Sequence, residues 1–147
     1  MIDKLLAKFK SQPGCVTFAP AAAQDLKNCS KTLCQNDSPP IPDAYAAFLG
    51  LSDGLSFDGI ELFSCQPHLR TSGDYTFPDL VSMNKPYKRY DFFRSRLILG
   101  RTSESVIIYH AEDNSYALID RINLRRRLEV SAFAELLQEF VKLSRLS

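Results

Sequence analysis

The sequence has no tryptophan and only two histidines, His68 and His110. Two histidines limit acid–base schemes, and neither sits in a nucleophile motif. G-x-S-x-G, H-E-x-x-H and a phosphate-binding glycine loop are all missing. Each histidine therefore reads first as an exposed or hydrogen-bonded structural residue. No apolar run approaches the ~18 residues that a membrane span requires. The opening MIDKLLAKFK is too short and too charged for a signal peptide, so the cytoplasm is the expected compartment. Cys15, Cys29, Cys34 and Cys65 include no pair with C-x-x-C spacing. They read as free, mostly buried thiols, with a metal site from Cys29, Cys34, Cys65 and His68 as the alternative. No metal and no cofactor is expected.

What is present fits one globular domain. A chain of 147 residues, 45% hydrophobic and 24% charged, is long enough to bury a core without staples. The net charge of +1 gives no global argument for nucleic acid. Its distribution says more. From Thr32 to Leu69 there is no Lys or Arg, only Asp37, Asp43, Asp53, Asp58 and Glu61. From Lys85 to Arg101 the balance reverses, with Lys85, Lys88, Arg89, Arg94, Arg96 and Arg101 against Asp91. The two segments either neutralise each other across the fold or form two faces of opposite sign.

Apolar spacing predicts the elements. Ile2, Leu5, Leu6 and Phe9 form one helical stripe, ended by Pro13-Gly14. A second helix is expected from about Pro20 to Leu33, with Ala22, Leu26, Cys29 and Leu33 on one face. Pro42 opens a third, with Tyr45, Phe48 and Leu49 in phase and Asp53-Gly54 as its stop. Asp58-Gly59 is a turn, and a strand runs from Ile60 to Ser64. Residues 66–96 are broken by prolines yet dense in aromatics, which predicts an ordered excursion with one short helix near Asp79–Asn84. Strands follow at Leu97–Gly100, Val106–His110 and Tyr116–Asp120, the last two a hairpin. Ile122, Leu124, Leu128 and Val130 alternate with polar residues as a further strand. Arg126 is the exception to that alternation. It marks a bulge, an exposed edge or a buried ion pair. Ser131 is the candidate N-cap of a terminal helix striped by Phe133, Leu136, Leu137, Phe140, Leu143 and Leu146.

Three clusters are candidates for chemistry. Asp53, Asp58 and Glu61 are close enough to converge, and paired carboxylates serve glycosidases and metal sites. Their spacing is not that of a calcium loop, and turn formation explains both Asp-Gly pairs. KPYKRYDFFRSR, Lys85 to Arg96, interleaves bases and rings as single-stranded nucleic-acid binders do. The plainer reading is aromatics covering the sheet while the charges meet water. Arg125-Arg126-Arg127 reads as a solvated strand face.

The order of elements carries a resemblance. P-x-x-Y-x-x-F-L at Pro42, Tyr45, Phe48 and Leu49 leads to Asp53-Gly54, then to a strand with Leu62. An I-L-G strand ending at Gly100, a hairpin with Tyr109 and Tyr116, and a helix with Phe133 and Leu136 complete it. Over about residues 41–141 this resembles the SUKH superfamily, which groups bacterial immunity proteins with the yeast Smi-type regulators. The resemblance implies a single α+β domain over residues 1–147. A mostly antiparallel sheet of about five or six strands would pack against helices, with the N-terminal helices of residues 1–34 packed on it. It also implies a non-enzymatic protein-binding role, most simply an immunity protein that neutralises a polymorphic bacterial toxin by occlusion.

On that footing Asp53, Asp58 and Glu61 are the expected acidic contacts to a basic toxin, and Tyr75 and Phe77 the expected anchors. An intracellular regulatory or scaffold domain is the alternative. A single-stranded nucleic-acid binder using Lys85, Lys88, Arg89, Tyr90 and Phe93 is the third reading.

Overall fold

The helices form where apolar spacing predicts them. The computed structural model describes residues 2–69 and 76–143, so Tyr75 and Leu146 lie outside the described residues. Helix α1, Ile2–Lys10, buries Leu5, Leu6 and Phe9. Helix α2 spans Ala23–Gln35, three residues later than Pro20 suggests. The reason lies in the preceding backbone, which the end of the next helix holds. Ala21 N–H donates to Leu49 O, Asp53 N–H to Ala19 O and Phe18 N–H to the Ser52 hydroxyl. Ala22 therefore stays extended. Helix α3, Asp43–Leu49, follows Pro42 and buries Tyr45, Phe48 and Leu49. Helix α4, Leu80–Asn84, is capped by the Asp79 carboxylate, which accepts from Ser82 N–H at 3.1 Å. Helix α5 is Phe133–Leu143.

Seven antiparallel strands make the main sheet, where about five or six were expected. They are β1 (Val16–Thr17), β2 (Leu55–Phe57), β3 (Ile60–Leu62), β6 (Arg96–Arg101), β7 (Ser105–His110), β8 (Ser115–Asp120) and β9 (Arg126–Val130), in that spatial order. Strands β1 and β2 are too short to print an alternating pattern in the sequence. A separate ribbon pairs β4 (His68–Leu69) with β5 (Thr76–Phe77). Two 3₁₀ turns, Lys85–Arg89 and Asp91–Phe93, join α4 to β6. The whole is one α+β domain. Among the described residues no helix is long and apolar enough to cross a membrane.

Register divides the sheet into two faces. Leu97, Tyr109, Tyr116 and Val130 are successive cross-strand partners. On this face Tyr116 packs against Phe133 of α5, and Phe133 meets Tyr45 and Phe48 of α3. Ile98, Ile108 and Ala117 line up on the opposite face. Two residues of the sequence motif explain the joint between β3 and β6. The buried Tyr45 hydroxyl donates to Phe63 O at 2.6 Å and reaches Leu99 O at 3.1 Å. A Cβ on Gly100 would fall 2.2 Å from Glu61 O, so only glycine lets the strands pair there. Gly54 is needed for a different reason. Its φ of +106° lies where side chains are rarely tolerated, and a Cβ would meet the Phe77 ring at 2.8 Å.

The strand that was expected to begin at Ile122 begins at Arg126. Ile122 and Leu124 belong to a turn instead. Arg126 satisfies two of its three readings. It lies on the edge strand, exposed and paired with Glu129, and the register slips between Leu118 and Ile119 opposite it.

Candidate functional site

The acidic cluster expected from the sequence does not assemble. Asp53 is 2% exposed and is consumed inside the fold. Its carboxylate accepts from Cys65 N–H at 2.8 Å and Gln66 N–H at 3.3 Å, and it meets His68 Nε2 at 2.8 Å. The His68 ring stacks on Phe18 with centroids 4.4 Å apart, and Phe18 contacts Phe77. This arrangement latches the start of the excursion to the turn after α3. It is built for holding rather than for nucleophilic chemistry. Burial and the Asp53 charge push the Cys65 thiol well up, which keeps it protonated, and the Ser64 hydroxyl donates to Gln66 O.

Phe77, expected as a surface anchor, is fully buried, because the Phe18 ring and Gly54 pack against it. Glu61 is drawn into an ion pair with Arg101 at 2.6 Å. That pair is the one direct ion contact between the acidic and basic segments among the described residues. Asp58 alone of the three carboxylates is exposed, at a φ of +49° on the β2–β3 turn. Asp53, buried among backbone donors, and Glu61, turned to Arg101, are therefore corrected from partner contacts to structural residues.

The nucleic-acid set is also divided. Phe93 is buried. Lys88 turns inward, and its Nζ donates to Phe93 O and Arg96 O, both at 2.6 Å. Burial pushes its ammonium down to about 8. Arg89 and Tyr90 remain exposed, with the guanidinium 4.9 Å from the ring centroid. His110 is bonded within its own hairpin, with Nδ1 2.9 Å from Asp113 Oδ2. Among the described residues no group of three His, Cys, Asp or Glu side chains is placed to hold a metal ion. Cys29 and Cys65 are buried, whereas Cys34 is exposed.

An apolar groove lies on the sheet face opposite α5. It has a volume of about 540 Å³. Ile98 and Val106 from the sheet and Phe63 form its base, with Met83, Tyr87, Tyr90, Phe92 and Phe93 on one side. Arg121, Ile122 and Leu124 from the β8–β9 turn form the other side. A smaller cleft of about 230 Å³ shares Phe92 and Leu124 with it and runs on over Ile108, Ala117 and Ile119. Three large apolar side chains stand out of this surface: Tyr90 is 48% exposed, Leu124 37% and Ile122 90%.

The turn that carries two of them is tightly specified. Asp120 Oδ1 accepts from Ile122 N–H at 2.9 Å and Asn123 N–H at 3.1 Å. Leu124 N–H donates to Asp120 O, and Asp120 N–H to Arg125 O. Arg125 N–H donates to Asn123 Oδ1 at 2.9 Å. Arg127 then bridges Asp120 Oδ2 at 2.6 Å and Glu104 Oε2 at 2.8 Å, tying the turn to the β6–β7 connection. The backbone donors, with Arg127 behind them, hold the Asp120 carboxyl down at about 2. Leu124 sits at a φ of +60°, which for a side chain of this kind costs on the order of 1–3 kcal/mol. The fold thus holds a strained, bonded turn whose most prominent product is an isoleucine in water.

Sequence reasoning missed Ile122 and Leu124 because their alternation with Asn123 and Arg125 imitates a strand. The available signal was the pair Asp120 and Asn123, both turn formers whose side chains bond nearby N–H groups. Compared with known proteins, the chain matches no family model and no curated protein.

Proposed function

We propose that this chain is a non-enzymatic protein-binding domain of SUKH type, acting in the bacterial cytoplasm as an immunity protein that neutralises a toxin by occluding it. The observation that carries the reading is Ile122, 90% exposed on a turn braced by Asp120, Asn123 and Arg127. An apolar side chain held rigidly in water gains nothing for the monomer. Against a partner it would bury its whole surface at little ordering cost, as interface anchors do. Tyr90 and Leu124 extend the same patch along the groove. Occlusion requires no catalytic group, and the one buried Asp–His pair serves as a latch.

The test is co-expression with the toxin encoded beside this gene. The expected result is survival of the host and a complex that migrates as one species on gel filtration. Ile122→Asp is expected to abolish both while leaving the urea midpoint of the isolated protein unchanged. Full toxicity in the presence of the protein, with no complex formed, would sink the proposal.

A further inference from the structure

We propose that the groove receives an acidic segment of the partner protein, whose apolar side chains seat against Ile122, Leu124 and Tyr90 while its carboxylates meet the arginines at the rim. This rests on the protein-binding reading and adds the chemistry of the bound segment. It reverses the polarity expected from the sequence, in which the chain itself supplied the acid.

The argument starts from the charges around the groove. Among the described residues the charged side chains that line it are Arg121 and Arg101, the second already paired with Glu61. Carboxylates close by are turned elsewhere. Glu61 bonds Arg101 along the sheet, while Glu104 and Asp120 bond Arg127. Arg89 and Arg125 stand exposed beside Tyr90 and Leu124 in the chain and add to the same sign, while Asp91, on the other side of Tyr90, is paired with Arg94. A groove with an apolar base and a rim of one sign selects the opposite sign, by attraction to the right segment and by repulsion of a basic one. Arginine suits carboxylates in particular, since its planar fork donates two parallel bonds.

A nucleic acid would also meet the basic rim. The apolar groups disfavour it. Ile122 and Leu124 are aliphatic and give a base no ring to stack on, Tyr90 alone of the groove's rings is exposed, and Lys88 is spent on two main-chain carbonyls. Aliphatic anchors beside arginines match an amphipathic peptide segment.

The experiment selects binders from a random peptide library displayed on phage, using the whole purified protein as bait. Enriched peptides are then synthesised and titrated by fluorescence anisotropy. The expected result is peptides rich in Asp and Glu with interspersed Leu or aromatic residues. Their binding should fall at least about tenfold on Ile122→Asp and on the double reversal Arg121→Glu with Arg125→Glu, and should weaken as salt is raised. Unchanged urea midpoints establish that both variants are folded. If the double reversal unfolds, the salt dependence of the wild-type protein carries the charge test alone. Groove-dependent peptides of neutral or basic composition overturn this inference and leave the protein-binding reading intact. So does a toxin complex that survives Ile122→Asp, since the partner then sits elsewhere. Enrichment of no groove-dependent peptide overturns the inference, and if the toxin complex also fails to form, both readings fall. Groove-dependent binding of oligothymidylate in place of peptide assigns the surface to nucleic acid and overturns both.

Discussion

Asn84→Ala is expected to cost about 3 kcal/mol, because Asn84 stands in for a missing stretch of strand. β3 ends at Leu62 and its last main-chain bond to β6 runs from Phe63 N–H to Leu99 O. Beyond that point the outward N–H and C=O of Ile98 would face the interior unpaired. The Asn84 side chain takes both: Oδ1 accepts from Ile98 N–H at 2.7 Å and Nδ2 donates to Ile98 O at 2.9 Å. Nδ2 also donates to Leu80 O at 2.8 Å, which ties α4 to the same place. Asn84 is buried, so water cannot replace these bonds without opening the wall of the groove. Truncation to alanine strands one donor and one acceptor of Ile98. Each unsatisfied buried group costs about 1–3 kcal/mol, and the pair gives the figure above.

Equilibrium unfolding in urea measures this directly. With a slope of about 2 kcal/mol per molar, the midpoint should fall by ~1.5 M. Asn84→Leu is the informative companion. Leucine fills the space with carbon and strands the same donor and acceptor, so it should be at least as damaging as alanine. Amide exchange at Ile98 should accelerate in both variants. A midpoint shift below about 0.5 M in both, with Ile98 exchange unchanged, would refute the idea that this side chain completes the sheet.

Other consequences are simpler to state. Tyr45→Phe removes the hydroxyl from Phe63 O while Leu99 O keeps its bond from Phe63 N–H, so a loss of about 1–2 kcal/mol is expected by urea unfolding. Gly100→Ala forces a Cβ against Glu61 O and should cost about 3 kcal/mol, with disturbed β3–β6 cross-peaks by NMR. The β8–β9 turn should loosen in acid. Asp120 has a carboxyl depressed from 3.8 to about 2 in the folded chain, so its contribution is complete above about pH 4 and is lost as pH falls through about 2. The amide shifts of Ile122 and Asn123 should report that step, and Asp120→Asn should abolish it. A thiol reagent should modify Cys34 first, with Cys29 and Cys65 reacting only on unfolding, as mass spectrometry of the native protein can check.

Parts of this molecule were legible because local rules decided them. Tyr45, Phe48 and Leu49 recur at helical spacing, and no distant group alters what that spacing buries. The hairpin of β7 and β8 is fixed by its β-branched runs and by the turn at residues 111–114. What escaped was decided at a distance. Asp53-Gly54 reads as a surface turn, but both residues are buried. The carboxylate is internal because Cys65 and Gln66 present N–H groups to it from a later strand end. Phe77 reads as an exposed ring in a broken segment, but Phe18, far back in the chain, covers it. Ile122 and Leu124 obey the period of a strand while sitting in a turn, since alternation records residue type and not backbone direction.

The two faces of the sheet divide the consequences of substitution. On β6 Leu97 and the Cα of Gly100 face the helix-covered side, while the side chains of Arg96, Ile98 and Arg101 belong to the groove side. The register slip between Ile98 and Gly100 makes this possible, because it keeps Arg101 on the same side as Arg96 despite their odd spacing. Without the slip, Arg101 would turn toward the helix-covered face and away from Glu61. With the slip, its guanidinium reaches Glu61 and lies 5.7 Å from the Phe63 ring at the base of the groove. One irregularity in one strand therefore gathers the basic residues of β6 on a single face. Substitutions of Tyr45, Phe133 or Asn84 should move stability, whereas those of Ile122, Arg121 or Arg125 should move binding alone. A rim substitution that unfolds the protein, or a core substitution that leaves stability intact and abolishes binding, would break that division.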